Sequence, residues 1–83
     1  MIVDIEKLAD LEHERWSGWM KYLFTKGQQN EDGTFIIDAD SVRWWQKIMN
    51  TPYAALSERS KESDRAEVRK TVALLEQMNQ HGT

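Results

Sequence analysis

Two carboxylates, Glu12 and Asp64, stand at positions where the helical pattern of this chain predicts apolar side chains. Arg15 follows the first after about one helical turn, and Lys61 and Arg65 flank the second. A charge among apolar side chains is costly unless it is paired and hydrogen-bonded. The pattern therefore predicts either an ion-pair network that ties two helices together or a polar and aromatic pocket for a ligand.

These two interpretations of the charged residues can hold together. In the structural one, Arg15, Lys61 and Arg65 pair with the two acids, because arginine–carboxylate pairs make a buried acid tolerable. In the functional one, a ligand completes the network. Glu12 and Asp64 then accept from an amino group or a ribose hydroxyl, and Lys61 or Arg65 meets a phosphate. A network that keeps one group for a ligand serves both purposes.

Tryptophan is the other unusual feature, with four residues in the chain. Trp16, Trp19 and Trp45 lie at helical spacings that predict core positions. Trp44 is offset from Trp45 by about 100°, so it either caps the edge of the core or belongs to a pocket or interface. Tyr53 either packs or points into the same pocket. Because stacking of a base on an aromatic ring contributes about 1–3 kcal/mol, a tryptophan-lined pocket suits a nucleobase.

The sequence carries no recognisable catalytic or metal-binding motif. There is no glycine-rich phosphate loop, no cysteine, and no second histidine one turn after His13, where Ser17 stands instead. The two carboxylates, Glu12 and Asp64, each have a basic neighbour to pair with, which weakens an acid–base role. We therefore predict a protein that is not an enzyme and that has no cofactor and no metal site.

Three predicted helices, at residues 3–26, 39–49 and 58–80, must position these groups. The predicted caps are Asp4 for the first helix, Asp38 or Asp40 for the second, and Ser57 for the third. The apolar run at 34–37 either forms a small strand or plugs the core. The first helix carries an apolar stripe formed by Ile5, Leu8, Ala9, Glu12, Trp16, Trp19, Met20 and Leu23. The inward face of the third is predicted to hold Asp64, Val68, Thr71, Leu75 and Met78.

Length and charge limit the classes of protein that this chain fits. Eighty-three residues predict one domain, 1–83, with a small core, in an all-α fold of two long helices and a shorter middle helix. A net charge of −3 gives no general attraction to polymeric nucleic acid or to anionic membranes. No signal-peptide pattern or membrane-spanning run is present. We expect a soluble, cytoplasmic protein.

Two segments are similar to a known family. The segment at residues 8–16 is an opening helix that ends in a tryptophan, and the segment at 52–65 leads into the last helix with Pro52, Tyr53, Leu56, Lys61, Asp64 and Arg65. Together they resemble the RyR domain, the repeat first described in ryanodine receptors and also found in small bacterial and phage proteins. Between the two segments, residues 26–49 differ from the receptor repeats. That variant looks closer to short stand-alone phage members.

The resemblance implies a non-enzymatic module that recognises a nucleotide-derived molecule, and a phage member would sequester such a signal. The ligand would contact Glu12, Arg15, Trp16, Trp19, Trp44, Tyr53, Lys61, Asp64 and Arg65. The alternative is a protein-interaction module without a small ligand, in which Trp44 and residues 35–37 form the contact surface. Self-association into a homo-oligomer is compatible with both, because small domains often need a partner's surface to complete a core.

Overall fold

A computed structural model describes residues 1–80, which form three helices and one small hairpin. In chain order the elements are α1 (Ile5–Leu23), β1 (Gly27–Gln29), β2 (Phe35–Ile37), α2 (Ala39–Met49), a 3₁₀ turn (Tyr53–Ala55) and α3 (Glu58–Gln80). The predicted all-α fold of two long helices and a shorter middle one is confirmed. The second and third helices have the predicted bounds, and α1 is a few residues shorter at each end.

The three helices begin at predicted caps, namely Asp4, Asp38 and Ser57. Each cap side chain accepts a hydrogen bond from a backbone N–H two or three residues further on, at 2.7–3.3 Å. These bonds satisfy backbone donors that the first turn of a helix leaves without a partner. Local side-chain chemistry therefore explains where each helix starts.

The apolar run at 34–37 contributes a strand. Phe35–Ile37 pairs antiparallel with Gly27–Gln29. The turn between them is held by Asp32, whose carboxylate accepts from the backbone N–H of Thr34 at 3.0 Å and from its hydroxyl at 2.7 Å. Gly33 has a φ of 91°, which glycine adopts without the steric cost of a Cβ.

The chain divides into two units, residues 1–16 with 57–80 and residues 17–56. In the first unit, α1 and α3 run antiparallel. The backbone N–H of Asp4 donates to the sulfur of Met78 at 3.3 Å, and Arg15 contacts Glu67 and Thr71 further along. Met78, at 6% exposed, is the one described residue that is buried.

In the second unit, the end of α1 packs against the hairpin. The rings of Phe24 and Phe35 meet edge to face, with their centroids 4.9 Å apart. Phe35 and Ile37 are half-buried, whereas Ile36 between them points to solvent. This alternation is what a strand with one covered face produces. One face of the three-residue strand is thus covered, on the side where Phe35 contacts Phe24, the residue that follows α1.

Two tryptophans predicted to be core residues are exposed. The exposed fraction is 59% for Trp16 and 44% for Trp19. In the first unit the covered side of α1 includes Leu8, which belongs to the predicted stripe, and Leu11 and Arg15, which lie beside that stripe. The pattern was misphased because large side chains occupy two adjacent faces of α1, and periodicity alone does not say which face is covered.

The Asp38 cap gives the fold a pH dependence that can be measured. Hydrogen bonds from the backbone and the hydroxyl of Ser41 lower the pKa of Asp38, with a smaller contribution from the charge of Lys26. Because the pKa is lower in the folded chain, the stabilisation is present above the ordinary aspartate pKa of about 3.9 and is lost as the pH falls through the lowered value. We expect the melting temperature to fall below about pH 4.

The matched variant for this test is Asp38→Asn, because asparagine caps a helix without titrating in this range. Thermal melts of both proteins between pH 6 and pH 2.5 should show a shallower acid decline for the variant. Superimposable pH profiles would mean that the Asp38 carboxylate does not contribute to acid stability.

Candidate functional site

The nine residues predicted to contact a ligand are divided between the two units, and each group is described by itself. The first unit holds Glu12, Arg15, Trp16, Lys61, Asp64 and Arg65, and the second holds Trp19, Trp44 and Tyr53. Two helices, α1 and α3, carry the whole of the first group. The second group lies on the end of α1, on α2 and on the 3₁₀ turn.

The two carboxylates on which the sequence argument rested are not buried. Glu12 has 71% of its side chain exposed, and Asp64 is also exposed. The prediction that both lie among apolar side chains is therefore wrong. The buried-charge problem nevertheless exists in this unit, since the covered side of α1 includes a cation instead, Arg15, whose side chain is 24% exposed.

Arg15 joins α1 to α3 through Glu67 and Thr71. Its Nη2 donates to the backbone carbonyl of Glu67 at 2.5 Å and to the hydroxyl of Thr71. Its Nε lies 3.2 Å from Oε2 of Glu67, and Oε2 of Glu12 is more distant from Nη1, at 3.8 Å. Arg15 therefore joins α1 to α3, but its main partner is Glu67 and not one of the two predicted acids.

The contact between Nε of Arg15 and Oε2 of Glu67 is electrostatic. Both atoms are covered from solvent, and neither has a partner in hydrogen-bonding geometry, although only 3.2 Å separates them. We interpret the contact as an ion pair whose N–H points out of line, because opposite charges at this separation attract at any angle. Sequence reasoning missed Glu67 because α3 offers several acids and nothing in their spacing selects this one.

Lys61 and Arg65 lie in an ion-pair ladder along α3. Nζ of Lys61 is 3.7 Å from Oε1 of Glu58, and Nη1 of Arg65 is 3.1 Å from Oε2 of Glu58 and 3.5 Å from Oε2 of Glu62. Arg69 continues the ladder with Glu62 at 2.6 Å. A phosphate would compete with these carboxylates for both cations.

The ladder also acts on the acids themselves. The hydrogen bond from Arg65, with the charges of Arg65 and Lys61, lowers the pKa of Glu58. The hydrogen bond from Arg69 is the main cause of the lowered pKa of Glu62. The carboxylates therefore stay ionised at neutral pH and keep opposing an incoming anion.

The remaining aromatic candidate of the first unit, Trp16, stacks on His13. The ring centroids are 6.1 Å apart and the planes differ by 18°. The two rings meet because they lie one turn apart on α1. Trp16 is exposed, so the pair lies on the outer side of the helix. Trp16 is thus available to solvent but belongs to no aromatic cluster larger than this pair among the described contacts.

A larger aromatic cluster lies in the second unit. The ring of Trp19 stacks on Tyr22 with centroids 5.5 Å apart, and Trp45 of α2 meets it edge-on at 5.3 Å. Nζ of Lys26 is 5.1 Å from the centre of the Tyr22 ring. We call Trp19, Tyr22, Trp45 and Lys26 the aromatic surface. Sequence reasoning predicted Trp19 but missed Lys26, although its position one turn beyond Tyr22 was a usable signal.

The other two candidates of the second unit are also exposed. Trp44 is 49% exposed, which confirms that it is displaced from the covered side of α2, and Lys47 lies 5.9 Å from the centre of its ring. Tyr53 begins the 3₁₀ turn and is 49% exposed. Both of these rings can therefore be contacted from solvent.

A groove of about 520 Å³ lies in the first unit, between α1 and α3. None of the nine predicted site residues lines it. Its lining consists of charged or polar side chains around an apolar floor: Asp10, Leu11, Glu14, Lys70, Ala73, Leu74 and Gln77. Sequence reasoning missed this groove because it depends on which sides of α1 and α3 face each other, and periodicity alone does not determine that.

Within residues 1–80, no helix combines the length and the apolar character that crossing a membrane requires. The same part of the chain brings no three acidic or histidine side chains together in an arrangement that would hold a metal ion. Comparison with known protein families, with curated proteins and with solved structures gave no match to this chain.

Proposed function

We propose that this chain is a non-enzymatic recognition module that binds a small nucleotide-derived molecule on the aromatic surface. The observation that carries the proposal is the exposed stack of Trp19 on Tyr22, with the Lys26 ammonium beside it. The resemblance of residues 8–16 and 52–65 to the RyR domain supports recognition without catalysis. In a phage member of that family, binding would serve to sequester a nucleotide-derived signal.

The chemistry of the aromatic surface suits a base that carries a phosphate. Stacking on Trp19 contributes about 1–3 kcal/mol and tolerates different bases, since every base has a π face. Trp45 contacts the Trp19 ring edge-on and restricts its motion, so less side-chain entropy is lost when a ligand binds. Lys26 supplies a compact positive charge within reach of a phosphate on a stacked nucleotide.

Electrostatics favour this segment over the predicted charged cluster. Arg15, Lys61 and Arg65 each have a carboxylate within 4 Å, so an anion would have to displace an existing partner. Residues 17–56 contain four basic and four acidic residues and are formally neutral, whereas the whole chain carries −3. A phosphate therefore meets less overall repulsion in this segment. Trp44 with Lys47 offers a second aromatic and cationic pair there.

Binding can be tested by titrating nucleosides and mono-, di- and cyclic nucleotides into the protein, with calorimetry and tryptophan fluorescence as readouts. We expect saturable binding of at least one phosphorylated compound. Trp19→Leu should weaken it by about tenfold, because the stacking contribution is lost. Lys26→Gln should lower the affinity for the phosphorylated ligand and leave the affinity for the corresponding nucleoside unchanged.

Trp16→Leu is the matched control, since it removes an exposed tryptophan of the same helix that lies outside the aromatic surface. It should leave the affinity unchanged. No binding at millimolar concentration of any compound, or an equal loss with Trp16→Leu and Trp19→Leu, would contradict the proposal.

A second function, protein interaction without a small ligand, is favoured by the apolar side chains that the hairpin and α2 expose. Ile36 is 60% exposed and Trp44 is 49% exposed, in the same unit. Exposed apolar residues that cluster mark interaction sites more often than scattered ones do. Failure of every nucleotide to bind, together with a purified protein partner whose binding is lost in Trp44→Ala, would favour this function.

A further inference from the structure

The groove between α1 and α3 has an incomplete core. Its floor is formed by Leu11, Ala73 and Leu74, and Leu11 and Leu74 are only half-buried. Met78, at 6% exposed, is the one buried residue that the structure describes. Two packed helices alone leave part of each apolar stripe uncovered, and antiparallel four-helix packing is a common way to cover it.

The charges on the two sides of the groove have opposite signs. Asp10 and Glu14 stand on the α1 side, and Lys70 stands on the α3 side. Lys70 also pairs with Glu67 of its own helix at 3.1 Å, but its side chain is 59% exposed, and such surface pairs are weak. The α1 side of the groove therefore carries two carboxylates, and the α3 side carries one ammonium.

We propose that a second copy of this chain docks in the groove, with α3 of each copy against α1 of the other. A two-fold axis through the groove places Lys70 of each copy near Asp10 and Glu14 of the other, so that one contact is made twice. The four helices then share a core over Leu11, Ala73 and Leu74. The groove carries carboxylates on one side and an ammonium on the other, which is why a second copy related by a two-fold axis suits it.

This inference does not depend on the proposed ligand. The groove and the aromatic surface share no residue, and one can fail while the other stands. Self-association would also add buried apolar surface. This matters for a chain of this size, because a short chain buries too little surface to be very stable alone.

The test is a pair of charge reversals measured by sedimentation equilibrium and by light scattering after gel filtration. The wild-type protein should have twice the 9.8 kDa mass of one chain. Lys70→Glu should weaken the dimer by about tenfold or more, because like charges then face each other twice. The double variant Asp10→Lys/Glu14→Lys should weaken it for the same reason.

Mixing the two variants gives the decisive result. In the mixed dimer both contacts again join opposite charges, so a 1:1 mixture should restore the dimer that each variant alone weakens. Lys21→Glu is the charge-matched control, since it makes the same change outside the first unit, and it should leave the mass unchanged. Lys70→Gln removes the charge without adding a like one and covers the case in which Lys70→Glu does not fold.

Three outcomes would overturn the proposal. The first is a wild-type chain that stays monomeric at the highest soluble concentration, which would leave the groove to a different protein. The second is a mixture of folded variants that stays monomeric. The third is a dimer that Lys70→Glu and Lys21→Glu weaken equally.

Discussion

Replacing Arg15 by alanine should lower the free energy of unfolding by about 2–3 kcal/mol and the melting temperature by about 10–20 °C. Arg15 is the side chain that joins α1 to α3, through the carbonyl and carboxylate of Glu67 and the hydroxyl of Thr71. Its removal leaves the covered Oε2 of Glu67 without its own partner, although Lys70 stays 3.1 Å from Oε1 of the same carboxylate. We place the loss below the 3–5 kcal/mol typical of a fully buried pair, because Glu67 is 44% exposed and water can reach part of it.

Two variants separate the Arg15 contact from the general effect of charge. Glu12→Ala removes the more distant and exposed partner of the same guanidinium and should change stability by less than about 0.5 kcal/mol. Arg15→Lys keeps the charge but loses the planar fork, so it should fall between wild type and Arg15→Ala. Thermal and denaturant unfolding measure all three. If Arg15→Ala and Glu12→Ala are equally stable, the contacts of Arg15 with Glu67 and Thr71 do not stabilise the fold.

Arg15 also shows how far sequence reasoning reached. The helical spacing of apolar residues predicted the three helices, and the caps Asp4, Asp38 and Ser57 predicted where they begin. Both signals act within a few residues of the chain. The phase of each helix depends on what the rest of the chain covers. For α1, apolar and aromatic residues on two adjacent sides made either choice consistent with the pattern, and Glu12 was assigned the position that Arg15 holds.

The pairing of the hairpin strands also could not be predicted from the hydrophobic pattern. Phe35–Ile37 was recognisable as a short apolar run, but its partner Gly27–Gln29 contains no apolar residue. What selects that partner is a turn held by Asp32 and Thr34 and the absence of a side chain at Gly27. Such a partner is found by backbone geometry and not by hydrophobic pattern.

The predicted ligand site combined aromatic rings with the cations Lys61 and Arg65. In the structure, the cations that lie over aromatic rings are Lys26, over Tyr22, and Lys47, over Trp44. The cations chosen from the sequence, Lys61 and Arg65, face carboxylates of their own helix. An i to i+3 or i to i+4 spacing predicts contact but does not say whether an acid or a ring will be the partner.

Gly27→Ala should destabilise the chain by about 1–3 kcal/mol, although the same substitution at Gly18 should stabilise it by up to about 1 kcal/mol. A Cβ at Gly27 would overlap the backbone carbonyl oxygen of Ile36 and lie 2.8 Å from its carbonyl carbon, so the two strands would have to separate. At Gly18, inside α1, a Cβ meets no atom within 4 Å, and alanine only improves helix propensity.

The Gly27→Ala effect should extend to the aromatic surface, since Lys26 precedes Gly27 and its carbonyl accepts a hydrogen bond from the backbone N–H of Asp38 at 3.1 Å. Strand separation would shift Lys26 relative to Tyr22. The affinity of Gly27→Ala for a phosphorylated ligand should therefore be lower than that of the wild-type protein, whereas the affinity of Gly18→Ala should be unchanged. Amide exchange of the hairpin, thermal melts and the nucleotide titration measure the three consequences. If Gly27→Ala matches Gly18→Ala in all of them, the close approach of the two strands does not hold Lys26 in place.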